Sequence, residues 1–385
     1  MANNNDNKVL NVPPLRFPEF TKEWEEHALA EYLDFKNGLN PDVKRIGRGL
    51  PFISVMDILA DGTINNDSIR GKVEATEREI ENFSVEKGDI LFQRSSETLE
   101  DVGRANVYMD NRTAVYGGFV IRGRKIGDYN PLFFKYLLST PLARKRTCRM
   151  GAGAQHFNIG QDGLSKISLC FPLMEEQNKI ARLLSLIDER IATQNKIIEK
   201  LQSLIKGLRV CCMQRNGSNN VYLSEIAQIY QPQTISSAEL TEDGFLVYGA
   251  NGIIGKYKDY NHKTEQICIT CRGNTCGMVN YTKPMSWITG NAMVINTDKY
   301  QDKVYKKYLY HYLSAYNFNS IISGSGQPQI VRTPLEKLKI TLPTISEQKQ
   351  KAMILDKVQD KIEINHNILN LYILQKQYLL RQMFI

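Results

Sequence analysis

Two stretches of the chain carry the same narrow apolar stripe. After Pro172, apolar residues fall at alternating four- and three-residue steps: Ile180, Leu184, Ile187, Ile191, then polar Gln194, then Ile198, Leu201, Ile205 and Leu208. After Pro343 the register returns as Lys351, Leu355, Val358, Ile362, Asn365, Leu369, Tyr372, Lys376 and Leu379. A sustained 3.5-residue repeat predicts long helices that pair along a seam. The competing arrangement, each helix lying on its own globular unit, calls for a broader apolar face. Each seam is broken by a polar residue at its midpoint, Gln194 and Asn365, which are the candidate register residues. These midpoints match in either direction, so the residues leave parallel and antiparallel pairing open. At ~1.5 Å rise per residue, the 180–208 seam is roughly 42 Å long, about one turn of B-DNA.

The remainder reads as short β-like runs broken by Gly, Asn and Asp. The expected organisation is α+β: a leader at 1–15, a globular unit at 16–174, a helix at 175–215, a second unit at 218–345 and a second helix at 346–385. The two halves are copies. Leu164-Ser165-Lys166-Ile167-Ser168-Leu169-Cys170-Phe171-Pro172 returns as Leu335-Glu336-Lys337-Leu338-Lys339-Ile340-Thr341-Leu342-Pro343, an offset of 171 that also relates Glu176-Gln177 to Glu347-Gln348. Tyr116-Gly117-Gly118-Phe119-Val120-Ile121 resembles the run from Ile288 to Ile295. The run from Ile90 to Ser96 resembles that from Cys268 to Asn274, which matches Arg94 with Arg272. The Gly/Gln loop 151–159 matches 324–330, the first copy being read as two residues longer at Phe157 and Asn158 or their neighbours.

Charge adds a second matched pattern. The net charge is only +8, from 49 basic and 41 acidic residues, which permits nucleic-acid binding without demonstrating it. However, 129–161 and 303–335 contain no Asp or Glu, and both windows end in the Gly/Gln loop. Phosphate contact favours surfaces free of negative charge. Glycine allows close backbone approach, and Asn or Gln can pair bidentately with adenine. The candidate DNA-binding residues are therefore Arg94, Arg144, Lys145, Arg146, Gln155, His156 and Asn158 in the first copy. In the second they are Asn251, Arg272, Asn274, Lys306, Lys307, Gln327, Gln329 and Arg332. The blander alternative makes Arg144-Lys145-Arg146 and Lys306-Lys307 solvated helix faces, and Arg94 and Arg272 partners of nearby carboxylates.

Enzymatic signatures are missing. Asn11-Val12-Pro13-Pro14-Leu15 is not the compact Asn-Pro-Pro-aromatic motif of an adenine methyltransferase. The glycine-rich 249–255 run lacks dinucleotide spacing, and no Gly-Lys-Ser/Thr occurs. The five histidines are scattered, and no base is evident for a Ser or Cys nucleophile. Cys268, Cys271 and Cys276 lack a fourth ligand at zinc spacing and sit in a strand-like run, so no metal site is expected. No apolar run is long enough for a membrane span, and the seven cysteines without a signal-like N-terminus indicate a reduced, cytoplasmic setting.

Pro14-Leu15-Arg16-Phe17-Pro18-Glu19-Phe20 with Trp24, the two Pro…Glu-Gln lead-ins at 172–177 and 343–348, and Tyr248-Gly249-Ala250-Asn251-Gly252 resemble the DNA-specificity subunits of bacterial type I restriction–modification enzymes. The resemblance runs from about residue 14 to the end. It implies two target-recognition domains related by pseudo-two-fold symmetry, each reading half of a bipartite double-stranded DNA site. It also implies an antiparallel coiled-coil spacer and docking of two methyltransferase and two motor–nuclease subunits. S-adenosylmethionine, with ATP and Mg for restriction, then belongs to those partners and no cofactor to this chain. The alternative is a coiled-coil nucleic-acid adaptor that works without methyltransferase partners.

Overall fold

In the computed structural model the described residues are 11–213, 219–250, 252–324 and 326–385. They form two compact units. One contains residues up to Gln194 with Ile368–Ile385, and the other contains Asn195–Asn367. The heptad stretches are two long helices, Met174–Met213 and Ile345–Gln382.

In the first unit, strand Glu25–Ala28 pairs antiparallel with Ser168–Phe171, closing the domain where its chain enters and leaves. Inside lies a four-stranded sheet in the order Leu33–Asn37, Val120–Lys125, Ile90–Gln93, Ala105–Val107. A second sheet places Ile46–Ile53 parallel to Ala114–Tyr116. Helix Pro131–Ser139 follows, started by the Asn130 side chain and by proline at its first position, where no N–H is needed. Its apolar face buries Phe133, Phe134 and Leu137 against Trp24, Leu29, Phe92, Ile180 and Leu184. Leu379 and Phe384 of the second long helix and its tail complete the cluster.

The second unit repeats this plan. Asn219–Tyr222 pairs with Lys339–Leu342. Its four-stranded sheet runs Gln228–Tyr230, Ala292–Asn296, Ile267–Thr270, Val279–Tyr281. Phe245–Gly249 lies parallel to Trp287–Ile288, and helix Lys306–Ala315 takes the place of Pro131–Ser139. The core is Leu223, Ile229, Ile267, Ile269, Met293, Ile295, Leu309 and Leu313.

In each unit the two long helices run antiparallel. Asp188 pairs with Lys376 in the first unit, and Lys351 Nζ donates to Cys212 O at 2.9 Å in the second. Ile205, Leu355 and Ile362 form an apolar cluster in the second unit. Gln194 is 7% exposed; Asn365 is half-buried, and its Nδ2 donates to Lys361 O at 2.6 Å.

One buried glutamine ties each domain to its long helix. Gln177 accepts from Asn130 N–H at 3.0 Å and donates to Pro172 O at 2.9 Å. Gln348 accepts from Tyr305 N–H at 2.8 Å and donates to Pro343 O at 2.9 Å. Six residues past these N–H groups, Tyr136 and His311 occupy one place. The Tyr136 hydroxyl donates to Asp188 at 2.8 Å. His311 Nε2 meets Asp356 at 2.9 Å while Arg209 donates to its Nδ1 at 3.3 Å. With Nδ1 accepting, the ring is the neutral tautomer whose Nε2–H donates to Asp356.

Candidate nucleic-acid interface

Both Gly/Gln loops fold as the same closed turn. In the first unit Ala152 and Asn158 exchange both backbone hydrogen bonds at 2.9 Å, and Ile159 N–H donates to Arg94 O at 3.0 Å. In the second, Ser323 and Gln329 exchange theirs at 2.9 and 2.8 Å, and Ile330 N–H donates to Cys271 O at 3.0 Å. The offset is 171 throughout, so the loops are equally long, contrary to the expectation of two extra residues in the first. The turn demands glycine at one position. Gly153 and Gly324 have φ of +141° and +91°, and a Cβ there would lie 2.0 Å from His156 O and 2.5 Å from Gln327 O. His156 therefore corresponds to Gln327 and Asn158 to Gln329, while Gln155 corresponds to Gly326.

Each loop lies alongside the segment leaving the central strand. Phe157–Asn158 pairs with Ser95–Ser96, and Gln329 bridges to Arg272. The structure thus brings together segments far apart in sequence: Arg94 to Ser96 with Gln155, His156 and Asn158, and Arg272 to Asn274 with Gln327 and Gln329. Arg94 and Arg272 are not equivalent. Arg94 matches Cys271, since Arg94 N–H donates to Phe119 O at 2.9 Å and Cys271 N–H to Asn291 O at 3.0 Å. Their side chains even share a partner, Arg94 reaching Gly118 O at 3.3 Å and Cys271 reaching Gly290 O at 3.6 Å. The match missed by one residue, and in a strand one residue reverses the side-chain direction. The true counterpart of Arg272 is Ser95, whose hydroxyl bonds the Asn158 amide oxygen.

The remaining candidates separate by partner. Arg144 donates to Glu100 O at 2.9 Å and Val102 O at 2.6 Å. Arg146 pairs with Glu26 at 2.9 Å and bonds Ser168 O. Lys306 pairs with Asp298 at 2.7 Å, and Lys307 with Asp356 of the second long helix at 2.9 Å. These four cations brace the fold. The acid-free windows begin with helices facing the long helices and the core, which accounts for these four cations. Arg332 pairs with Glu336 at 2.7 Å but is 60% exposed, a weak surface pair. Lys145, Arg149, Gln155, His156, Arg272, Asn274, Gln327 and Gln329 are exposed. Lys145, Arg149 and Arg272 have no carboxylate partner among the described residues. Asn251 lies outside the described residues. Arg149, a basic residue of the first acid-free window, and Ser95, in the matched strand-like run, were not among the DNA-binding candidates taken from sequence. Arg149 stands one helical turn after Lys145, and Ser95 emerges only when the strands are aligned by hydrogen bonds.

Cys268 lies in the buried strand Ile267–Thr270. Burial pushes the Cys268 thiol up to about 12, far from the thiolate that binds metal. No group of three or more His, Cys, Asp or Glu suited to a metal ion occurs among the described residues. No helix among the described residues is long and apolar enough to cross a membrane.

Two copies of one domain, each presenting a glycine-fixed polar loop and each closed onto a long helix, make up the described chain. Comparison with known proteins gives this arrangement its class. The family described as type I restriction modification DNA specificity domain matches residues 21–203 and 216–371. The chain belongs to this family and is a type I restriction–modification specificity subunit, the DNA-recognition component of the complex, without a catalytic role. It is 25% identical to a putative type I restriction enzyme MjaX specificity subunit of Methanocaldococcus jannaschii, over 93% of this chain and 92% of that protein. It is 32% identical to the EcoprrI specificity subunit of Escherichia coli over 35% of this chain and 34% of that one. The fold matches the crystal structure of a type I restriction–modification S subunit from M. genitalium with a TM-score of 0.67 at 16% identity, covering 97% of this chain and 99% of that one. The adaptor alternative is left without support.

Proposed function

We propose that the chain reads a bipartite double-stranded DNA site, one half per unit, through the segments 94–96 with 152–158 and 271–274 with 323–329. The observation that carries this is the pairing of the same two segments in both units, through the bridge Ser95–Asn158 in one and Arg272–Gln329 in the other, with different side chains at equal positions. Arg272 and Gln329 carry the donor and acceptor groups that read guanine and adenine edges, whereas Ser95 and Asn158 fill the same places in the other unit. Different chemistry at equal positions makes the two half-sites different sequences. Lys145 and Arg149 serve phosphates.

The antiparallel helices set the gap between half-sites, with Gln194 and Asn365 fixing their register. Two methyltransferase subunits carrying S-adenosylmethionine and two motor–nuclease subunits using ATP and Mg complete the complex in the bacterial cytoplasm. The domain limits follow as 16–174 and 218–345, with 1–15 as leader and 175–215 and 346–385 as spacer helices. The test is a base-resolution methylation map of plasmid DNA from cells co-expressing this chain and a methyltransferase subunit. N6-methyladenine on a motif split by a constant gap supports the reading; a continuous motif, or none, defeats it. Exchange of 218–345 for a homologous domain must change one half of the motif and leave the other.

A further inference from the structure

One more position belongs to the same edge. The Phe119 carbonyl accepts the Arg94 N–H, and the Asn291 carbonyl accepts the Cys271 N–H, at 2.9 and 3.0 Å. Two residues earlier, Gly117 N–H donates to Ile53 O and Thr289 N–H to Tyr248 O, both at 2.9 Å. A side chain on either intervening glycine would have to displace a neighbour. A Cβ on Gly118 would lie 1.8 Å from Asn40 Oδ1, and one on Gly290 2.4 Å from Thr234 Oγ1. Phe119 and Asn291 are thus one backbone position in two copies, pinned on both sides. Yet the residue itself faces solvent: Phe119 is 68% exposed and Asn291 is exposed as well.

A single exposed aromatic is ordinary on a protein surface. This one stands on a rigid turn, which is where a reading side chain belongs. Its neighbour across the ladder is Arg94, one residue before the proposed reader Ser95. Residue 119, residues 94–95 and residues 157–158 are on neighbouring chain segments ~4.8 Å apart, so they span ~10 Å, about three base pairs at ~3.4 Å each.

We infer that position 119/291 is a specificity determinant in both half-sites. Phe119 makes apolar contact with a thymine methyl, and Asn291 pairs bidentately with an adenine. The inference rests on the DNA-facing reading of these loops. It assigns recognition of an A·T pair in each half-site to chemically unlike side chains, with the thymine side read in one and the adenine side in the other.

The experiment uses the complex of this chain with its methyltransferase subunits, comparing wild type with Phe119→Asn and Asn291→Phe. Methylation is mapped at base resolution, and the purified variants are melted. The expected result for Phe119→Asn is relaxed or altered preference at one A·T pair of one half-site. Methylation of the parent motif should fall ~10-fold, with the other half, the gap and the melting temperature unchanged. Asn291→Phe should do the same in the opposite half. An unchanged motif and rate in both variants overturns the assignment and leaves the split-site reading intact. Lost methylation with a lowered melting temperature makes the position a structural one and also overturns it. If wild type itself methylates no split motif, the reading beneath the inference falls and the inference with it.

Discussion

Ile159 and Ile330 close the same turn in the two units, each N–H donating at 3.0 Å to the residue that follows the central strand, Arg94 in one and Cys271 in the other. That bond sets the equivalence of the positions in the two loops and shows the arginine pairing suggested by sequence to be out of step by one.

The shift gives a direct forecast for Arg272. Arg272→Ser installs the residue of its true counterpart, Ser95. It is expected to weaken methylation of the parent motif ~10-fold or more and to relax one base position in a single half-site, the ~1–3 kcal/mol of one bidentate contact. Arg94→Ala, acting on a half-buried group held to Gly118 O, should instead lower the melting temperature without redefining the motif. Methylation mapping and thermal melting of both variants separate the roles.

The basic residues divide in the same way. Lys145→Ala and Arg149→Ala should weaken DNA binding alike for specific and nonspecific sequence, each reducing the slope of log affinity against log salt by about 1. Lys307→Ala loses its pair with Asp356 and should leave the slope unchanged. A fluorescence titration across a salt series decides, and a lowered slope for Lys307→Ala would contradict its bracing role.

Gln348→Ala removes the acceptor for Tyr305 N–H and the donor for Pro343 O and Lys303 O. Leaving these groups unpaired beneath a buried position is expected to cost about 2–3 kcal/mol, read as a fall in urea midpoint.

His311 supplies a pH signature. Its charged form is disfavoured chiefly by burial, with Arg209 and Lys307 adding to that and Asp356 opposing it, so its pKa lies below the usual ~6.5. A depressed pKa means the unfolded chain takes up the proton first. The stabilising contribution is therefore present above pH ~6.5 and is lost as the pH falls through the folded value. His311→Gln retains hydrogen-bonding groups without titrating. Between pH 7.5 and 5.5 its melting temperature should fall less than that of wild type; equal falls would exclude His311 as the source.

Much of the architecture is written in local pattern. The helices announce themselves because a heptad stripe is a short-range signal that packing reinforces, and the duplication is visible because Leu164 to Pro172 and Leu335 to Pro343 keep one register. The site was legible only in part. Gly153, Gln327 and Gln329 stood out by composition, but Ser95, Phe119 and Asn291 are unremarkable residues that acquire meaning from hydrogen bonds between distant strands. Charge misled in one respect. The acid-free windows include Lys306, Lys307, Arg144 and Arg146, whose partners Asp298, Asp356, Glu26 and the Glu100 carbonyl come from outside the windows and are invisible to a linear count.

The strand that opens each domain lies beside the strand that closes it, Glu25 opposite Phe171 and Asn219 opposite Leu342. Paired residues in such a ladder have Cα atoms ~5 Å apart, so everything between them is mechanically an excursion from one fixed doorway. With one half-site read per unit, as proposed, mutational drift within either excursion would alter which bases are preferred while the doorway and the long helices keep their contacts. A lineage carrying this fold would then change half of its DNA address at a time, and the other half would continue to be read as before.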